Sequence, residues 1–211
     1  MKREEKVFLG LLTIFLTVLL MANILAIKKI EIFGIVATGG IFAYPLTFLI
    51  TDIMVETWGR ARAQITVWLG LGASILMVLY ILLVQNIPPA EFWVYQDAYD
   101  KILGGTFRIV LASMVAYLAA QTLDIWTFQA LKIKTQGKYL WIRNNVSTMT
   151  SQGIDTIIFV MIAFFGVLPN SVVFQIGLST YLLKLLIAAL DTPFCYLGVA
   201  IVKRAIREEQ S

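Results

Sequence analysis

The chain has 211 residues, of which 59% are hydrophobic and 14% charged, with a mean hydropathy of +0.83 and a formal net charge of +4. Soluble domains hold about 45–50% apolar and about 25% charged residues, so this composition excludes an ordinary soluble fold. The chain has no histidine and one cysteine, which excludes a His/Cys metal site, an intrachain disulfide and a Ser–His or Cys–His catalytic pair. No glycine-rich phosphate loop occurs, and no cofactor is predicted.

Six stretches are long and apolar enough to cross a bilayer, since about 20 helical residues span its hydrocarbon core. The first follows MKREEK but exceeds the apolar length of a signal peptide, so it is expected to stay in the protein. Pro193 in the last stretch predicts a kink or a break. The pattern predicts an all-α polytopic membrane protein, one transmembrane domain over residues 1–211, with spans at about 7–27, 35–54, 64–84, 106–130, 146–167 and 172–202.

Basic residues set the expected orientation, because they favour the cytoplasmic side of a membrane. With the N-terminus inside, twelve of the 17 lysines and arginines fall in inner segments and four in outer ones, while Lys184 lies within the last span. Both termini are therefore expected in the cytoplasm, with the chain in the cell (inner) membrane. The positive charge reflects this topology, and no separate basic domain indicates binding to nucleic acid.

The longest connection, residues 85–105, joins the third and fourth spans and is expected outside. Trp and Tyr commonly lie at the level of the lipid headgroups. An interfacial anchor and a lid over an outer entrance are both compatible with its aromatic residues, which are Phe92, Trp93, Tyr95 and Tyr99.

Polar residues inside the spans are the most informative, and helical spacing places them on shared faces. The second span carries Asp52 and Glu56, four residues apart. The fourth has a stripe of small residues, Ala112, Ala116 and Ala120, that favours close helix contact. The polar stripe of the fourth span comprises Ser113, Tyr117, Gln121 and Asp124. In the fifth span, Thr148, Gln152 and Asp155 lie on one face. In the sixth span, Lys184 and Asp191 lie two turns apart on one side.

A charge at the bilayer centre costs about 2.5–3.5 kcal/mol, so four such residues cost on the order of 10 kcal/mol. Asp124, Asp155, Lys184 and Asp191 are therefore expected to face a shared interior, a cavity or a ligand. Structural explanations remain open for some of them. Glu56 has the i,i+4 spacing for an ion pair with Arg60, Asp124 could pair with a loop lysine, and Lys184 could pair with Asp191.

Three blocks in separate spans resemble the signature sequences of the queuosine-precursor transporter family. They are YPLTFLITDIMVETWGRARA, GKYLWIRNNVSTMTSQGIDTIIFVMIAFFG and KLLIAALDTPFCYL. That family belongs to the wider vitamin uptake transporters, which are related to the substrate-binding subunits of energy-coupling-factor systems. The resemblance implies six membrane helices and the import of a deazaguanine, such as 7-cyano-7-deazaguanine, its aminomethyl relative or queuine.

The polar residues suit such a cargo. A carboxylate accepts the adjacent ring N–H and amine of a deazaguanine, for which Asp155 is the candidate, and amide side chains can serve the remaining edge. A planar base also favours an aromatic wall, for which Tyr44, Phe48, Tyr117 and Trp126 are available. The predicted substrate-binding residues are Tyr117, Gln121, Asp124, Asn144, Asn145, Gln152, Asp155, Lys184 and Asp191. The predicted path or gate residues are Tyr44, Asp52 and Glu56.

Other functions are weighed against this one. A substrate-binding subunit of an energy-coupling-factor importer would dock on an energising partner through an AxxxA pattern, which Ala22 and Ala26 match. Proton-coupled transport by the chain alone fits the excess of buried acids equally well. An intramembrane aspartyl protease would need two facing aspartates, such as Asp124 and Asp155, but the GxGD sequence typical of one class is absent.

Overall fold

A computed structural model describes residues 2–25, 28–32, 35–103, 107–166 and 169–207. This part of the chain contains seven α-helices: α1 (Arg3–Leu25), α2 (Tyr44–Trp58), α3 (Arg60–Gln85), α4 (Gln96–Leu103), α5 (Phe107–Lys134), α6 (Leu140–Phe164) and α7 (Asn170–Arg207). Between α1 and α2 lie an antiparallel hairpin of β1 (Lys29–Ile32) and β2 (Ile35–Thr38) and a short 3₁₀ helix (Gly39–Phe42). The predicted span ends at residues 27, 106 and 167 lie outside the described residues.

Four helical segments of the described chain are long and apolar enough to cross a membrane: Arg3–Leu25, Arg60–Gln85, Leu140–Phe164 and Asn170–Ala188. The helix α5 is also long, at 28 residues, but polar side chains such as Gln121 and Asp124 interrupt its apolar sequence. The protein is therefore a multi-pass, all-α membrane protein, with one small hairpin that the sequence did not predict.

The helices expose many large apolar side chains and bury several polar ones together with the apolar core, which is unlike a soluble bundle. On α7 the exposed positions include Leu182, Leu186, Leu190 and Leu197, at spacings that follow one helix face. Polar residues of α2, α5 and α6 are buried between the helices instead. Since lipid tails solvate leucine as well as a protein interior does, an outward apolar face is stable only in a bilayer.

The prediction that the second span begins near residue 35 is wrong. Residues 35–38 form β2, because β-branched Ile35 and Val36 favour a strand and the Gly39–Gly40 pair after them disfavours helix. Consequently α2 has only 15 residues, a length of about 22 Å against the roughly 30 Å of the hydrocarbon core. It ends at Gly59, whose φ of +81° favours glycine, and α3 follows directly.

The helix α7 continues through Pro193, so of the predicted kink or break the break does not occur. Its 38 residues span about 57 Å, which exceeds the hydrocarbon core and extends the basic C-terminal turn beyond it. The helices α3 and α6 also begin earlier than predicted, at Arg60 and Leu140.

Both ends of the described chain lie at one end of the bundle. Near the start of α1, the carboxylate of Glu4 accepts hydrogen bonds from Trp58 and Arg62, each at 2.9 Å, where α2 meets α3. Near the end of α7, Lys203 contacts Glu56 of α2. An apolar core packs nearby and includes Phe15, Leu19, Met54, Val67 and Phe128.

The most extensive helix contact joins α5 to α6. Ala112, Ala116 and Ala120 of α5 are all buried, as the small-residue stripe predicts. Their short side chains allow neighbouring backbones to approach, which favours helix association in a membrane.

Candidate functional site

The helix α6 carries polar side chains on its buried face. These residues recur at the three- and four-residue spacing of one helix face, so the prediction that Thr148, Gln152 and Asp155 share a face is confirmed. The opposite face exposes Met149 and Ile157. The buried set, which we call the α6 polar face, covers about 20 Å and consists of Arg143, Asn144, Ser147, Thr148, Ser151, Gln152, Asp155 and Thr156.

Deep in the bundle, Asp155 of the α6 polar face forms an ion pair with Lys184 of α7. The Lys184 ammonium lies 5.9 Å from the ring centroid of Tyr44 on α2. The Tyr44 ring in turn packs edge-on against Tyr117 of α5, with 6.4 Å between centroids. Four helices thus meet in what we call the Asp155 cluster: Tyr44, Tyr117, Asp155 and Lys184. Lys184 reaches across to α6 for its partner, so the alternative ion pair with Asp191 on its own helix is not formed.

Several buried polar atoms near Asp155 have no hydrogen-bond partner among the described residues. They include Gln152 Oε1 and Thr156 Oγ1, both within one turn of Asp155. Both side chains are at most 5% exposed. A buried polar atom without a partner costs about 1–3 kcal/mol. These positions are therefore suited to receive hydrogen bonds from a bound molecule or water.

The position of Tyr117 depends on a glycine of α3. A Cβ atom added at Gly70 would lie 2.6 Å from the Tyr117 hydroxyl, 2.8 Å from Leu19 and 2.9 Å from Phe15. These separations are shorter than van der Waals contact, so only glycine fits. Gly70 therefore lets Tyr117 and two side chains of α1 pack directly against the α3 backbone.

One turn along α5, Gln121 joins that helix to α2. Its amide donates to the Thr47 hydroxyl at 3.2 Å, and its carbonyl accepts from the Thr51 hydroxyl at 3.2 Å. All three side chains are fully buried. Both ends of the Gln121 amide are thus engaged in helix contacts, which stabilise the α2–α5 pair.

A pair of carboxyl groups lies in the next layer, where Asp52 of α2 meets Asp124 of α5. The two groups are within hydrogen-bonding contact, at 1% and 0% exposure. Ser151 of the α6 polar face donates to Asp124 Oδ1 at 2.9 Å. The structure therefore pairs Asp124 with Asp52 and not with Asp155, so the particular pair named for the protease alternative is not formed.

The amides Asn144 and Asn145 both point at α7. Asn145 donates to the Thr192 hydroxyl at 2.6 Å, and Asn144 approaches the same oxygen at 3.5 Å. The neighbouring residue Asp191 is half-buried and interacts electrostatically with Asp52. These residues extend the polar interior from the carboxyl pair to α7.

At the end of the bundle that holds the chain ends, Glu56 binds three cations from three helices. Its Oε2 lies 2.8 Å from Arg143 and 3.3 Å from Lys132, and its Oε1 lies 3.3 Å from Lys203. Lys132 also donates to the backbone carbonyl of Glu56 at 2.7 Å and thereby caps the end of α2. We call Glu56, Lys132, Arg143 and Lys203 the Glu56 cluster; it links α2, α5, α6 and α7.

Two possibilities that the sequence left open are not realised at this end of the bundle. Glu56 does not pair with Arg60, because that guanidinium stacks on Trp126, 3.1 Å from the ring centroid. Trp126 is 51% exposed and therefore cannot form an aromatic wall of an interior site. Instead of Arg60, Arg143 of α6 forms an ion pair with Glu56.

The structure adds residues that the sequence interpretation missed. Ser151 and Ser147 lie one and two turns before Asp155, so helical spacing alone places them on the same face as Asp155. Arg143 precedes the fifth predicted span in sequence, yet it is fully buried. Thr192 follows Asp191 and could be found only from its contact with the two asparagines.

Within the ranges that the structure describes, no group of three or more His, Cys, Asp or Glu side chains is placed to hold a metal ion. The polar interior instead combines carboxyl, amide, hydroxyl and aromatic groups. Such groups recognise a small molecule with several hydrogen-bonding edges, provided that the molecule replaces the contacts that these groups make with each other.

Comparison with known proteins identifies the family. Residues 38–198 match the model of a family described as "Putative vitamin uptake transporter". A "Probable queuosine precursor transporter" of Bacillus subtilis (strain 168) is 36% identical over 176 residues, covering 83% of this chain and 77% of the relative. The "Queuosine precursor transporter" of Escherichia coli (strain K12) is 28% identical over 82% of this chain and 77% of its own.

A third relative, a "Probable queuosine precursor transporter" of Haemophilus influenzae, is 29% identical over 74% of this chain and 65% of its own length. No solved structure matches the chain. The matched region contains every residue of the Asp155 cluster and the carboxyl pair, since residues 38–198 run from the end of β2 into the last third of α7.

Proposed function

Since this chain belongs to the vitamin uptake transporter family, we propose that it imports a queuosine precursor for salvage into tRNA modification. A transporter family also argues against an enzymatic function. The polar interior supports the proposal most directly. It runs through a bundle with an apolar exterior, from the Asp155 cluster to the Glu56 cluster, and buried charges at such a depth are rarely retained without a function.

The proposed topology has six membrane spans, with the short α2 as the second. The ends of α1 and α7 lie at the same end of the bundle as Lys132, Arg143 and Lys203. Basic residues favour the cytoplasmic side, so this end is placed inside the cell and both termini with it. The chain is proposed to lie in the cell membrane, with α4 and its preceding aromatic residues on the outer side.

The proposed cargo is a deazaguanine base such as 7-cyano-7-deazaguanine, its aminomethyl relative or queuine. Its adjacent ring N–H and amine would donate to Asp155, a strong geometry for a carboxylate. The Gln152 carbonyl and the Thr156 hydroxyl, which have no partner among the described residues, would bind the remaining edge. Lys184 forms an ion pair with Asp155, so the cargo must displace this ammonium or share the carboxylate with it.

The proposed inner gate is the Glu56 cluster. It ties the cytoplasmic ends of four helices together below the carboxyl pair, which closes the path on that side. Release of the cargo into the cytoplasm would require these ion pairs to part. The proposed path runs along α2. It passes Tyr44, at the start of that helix, and Asp52, which lies one turn before Glu56.

A substrate-binding subunit that depends on an energising partner is less well supported. Ala22 is 1% exposed and faces the bundle, so it is not available on the outer surface of α1 for a partner. Ala26 lies outside the described residues. We therefore propose that the chain works without an ATPase partner.

The test is uptake in a bacterial strain that cannot synthesise deazaguanines, scored by queuosine in its tRNA at low external precursor. Wild type, Asp155→Asn and the exposed control Glu5→Gln are compared at matched membrane levels. The control should match wild type. Loss of a hydrogen bond to a charged group, about 1.5–3 kcal/mol, predicts at least a tenfold loss of uptake for Asp155→Asn. Failure of the inserted wild-type chain to restore queuosine would refute the proposed cargo.

A further inference from the structure

The carboxyl pair of Asp52 and Asp124 lacks the groups that would allow both side chains to be charged. The two carboxyls are in contact and essentially inaccessible to solvent. Asp52 Oδ1 and Asp124 Oδ2 each find no hydrogen-bond donor among the described residues. Apart from their mutual contact, the donors to the pair among the described residues are neutral hydroxyls: Ser151 donates to Asp124 Oδ1 at 2.9 Å, and Ser147 also contacts the Asp124 carboxyl.

The charged and titratable groups around the pair do not neutralise it. Arg143 of α6 attracts Asp52, but its guanidinium is bonded to Glu56 and to the carbonyl of Lys138. Asp191 of α7 adds a further acid, and the thiol of Cys195 on the same helix is uncharged at neutral pH. Two acids this close in a poorly solvated site cannot both ionise.

A hydrogen-bond donor is missing between the two carboxyl groups, which are both acceptors when they are charged. A proton held between them would supply that donor. A metal ion would need several free oxygen ligands. Among the described residues no group of three or more metal-ligating side chains occurs, and the oxygens of the pair that lack a hydrogen-bond donor are Asp52 Oδ1 and Asp124 Oδ2. The unpartnered oxygens therefore favour a shared proton over a bound cation.

We propose that Asp52 and Asp124 share one exchangeable proton, and that its movement into the cell drives the import of the cargo. The coupling part of this inference rests on the proposed function; the shared proton does not. Ser151 links the pair to the α6 polar face one turn from Asp155, and Asp52 lies one turn from Glu56. Loss of the proton leaves two repelling charges between α2 and α5, next to the ion pairs that close the inner end.

The first measurement uses the purified full chain without any cargo. The infrared spectrum at neutral pH is expected to contain a protonated-carboxyl band, and difference spectra should show its loss in both Asp52→Asn and Asp124→Asn. An asparagine can donate to the remaining acid, which is then able to ionise. The band should persist in the control Glu5→Gln. A wild-type spectrum without the band, or a band unchanged in both variants, would overturn the shared proton.

The second measurement uses proteoliposomes and 7-cyano-7-deazaguanine, which is neutral. With the outside more acidic by one pH unit, one proton per cargo predicts about tenfold accumulation, since one unit equals about 1.4 kcal/mol. Both asparagine variants should lose this accumulation, whereas the exposed control Glu5→Gln should retain it. Accumulation driven by a sodium gradient, or proton-driven accumulation retained in both variants, would refute the coupling.

The outcomes separate this inference from the proposed function. Absence of exchange in the wild-type chain would refute the cargo and, with it, the coupling. The infrared result would still decide whether the pair holds a proton. Normal exchange with no response to the pH gradient would leave the cargo intact and overturn the coupling alone.

Discussion

The Glu56 cluster predicts an asymmetry between its two central residues. Arg143 has a side chain only 1% exposed and one carboxylate partner, whereas Glu56, at 9%, has three cations around it. Breaking a buried ion pair costs about 3–5 kcal/mol, because the remaining charge is left unpaired. Glu56→Gln should cost about 3 kcal/mol, the low end, since its amide oxygen still accepts from Arg143.

The reverse substitution should cost less. In Arg143→Met, Glu56 keeps Lys132 and Lys203, each 3.3 Å away, so no buried charge is left without a partner. We expect a loss of about 1.5–2 kcal/mol, the lower part of the range for hydrogen bonds to charged groups. The double variant should be more stable than Glu56→Gln alone, because it also removes the Arg143 charge that this substitution leaves unpaired.

The assay is equilibrium unfolding of the purified protein in mixed micelles, followed by tryptophan fluorescence, for wild type, both single variants and the double variant. Reversibility is checked by refolding before any free energy of unfolding is derived. The conservative variant Arg143→Lys serves as a control, since it retains the charge but not the planar fork. If Arg143→Met proves as destabilising as Glu56→Gln, or the two losses simply add, the three-cation arrangement does not determine stability and the reasoning is refuted.

Two further changes test the packing and the ion pair of the Asp155 cluster by the same assay. Gly70→Ala should lose about 1–3 kcal/mol through its clash with Tyr117, whereas Gly72→Ala, with nothing within 4 Å of the added Cβ, should gain about 0.5–1 kcal/mol; equal effects would contradict the close packing at Gly70. Lys184→Met should lose about 3 kcal/mol by leaving Asp155 unpaired. Adding Asp155→Asn should recover part of that loss, and a double variant less stable than Lys184→Met would contradict the pairing.

Much of the fold follows from apolar patterning along the chain. Long apolar runs predict helices that match α1, α3, α5, α6 and α7 to within a few residues at most ends. The second span failed because its early residues are apolar but β-branched and precede two glycines, so hydropathy alone could not separate strand from helix. The sequence also could not show that α7 continues through Pro193. Proline removes only its own N–H, and packing against neighbouring helices can hold the helix together.

The sequence predicted which residues of one helix share a face of the candidate site, but it did not predict which residues of different helices contact each other. Spacing placed Gln152 and Asp155 on one face of α6, and the structure buries both. Nothing in the spacing favoured Asp155 over Asp191 as the partner of Lys184, because helix rotation and offset decide which charges meet. For the same reason Trp126, close in sequence to Asp124, points outward and stacks under Arg60.

The sequence by itself determined that this is a membrane protein with buried acids, because the cost of charge in hydrocarbon depends on residue type and position along a span. It also carried the family resemblance, since motifs are linear. Only the tertiary structure decided the partners: Asp155 with Lys184, Asp52 with Asp124, and Glu56 with Arg143. Electrostatic contacts fall off within a few ångströms, and those separations are set by helices far apart in the chain that pack against each other.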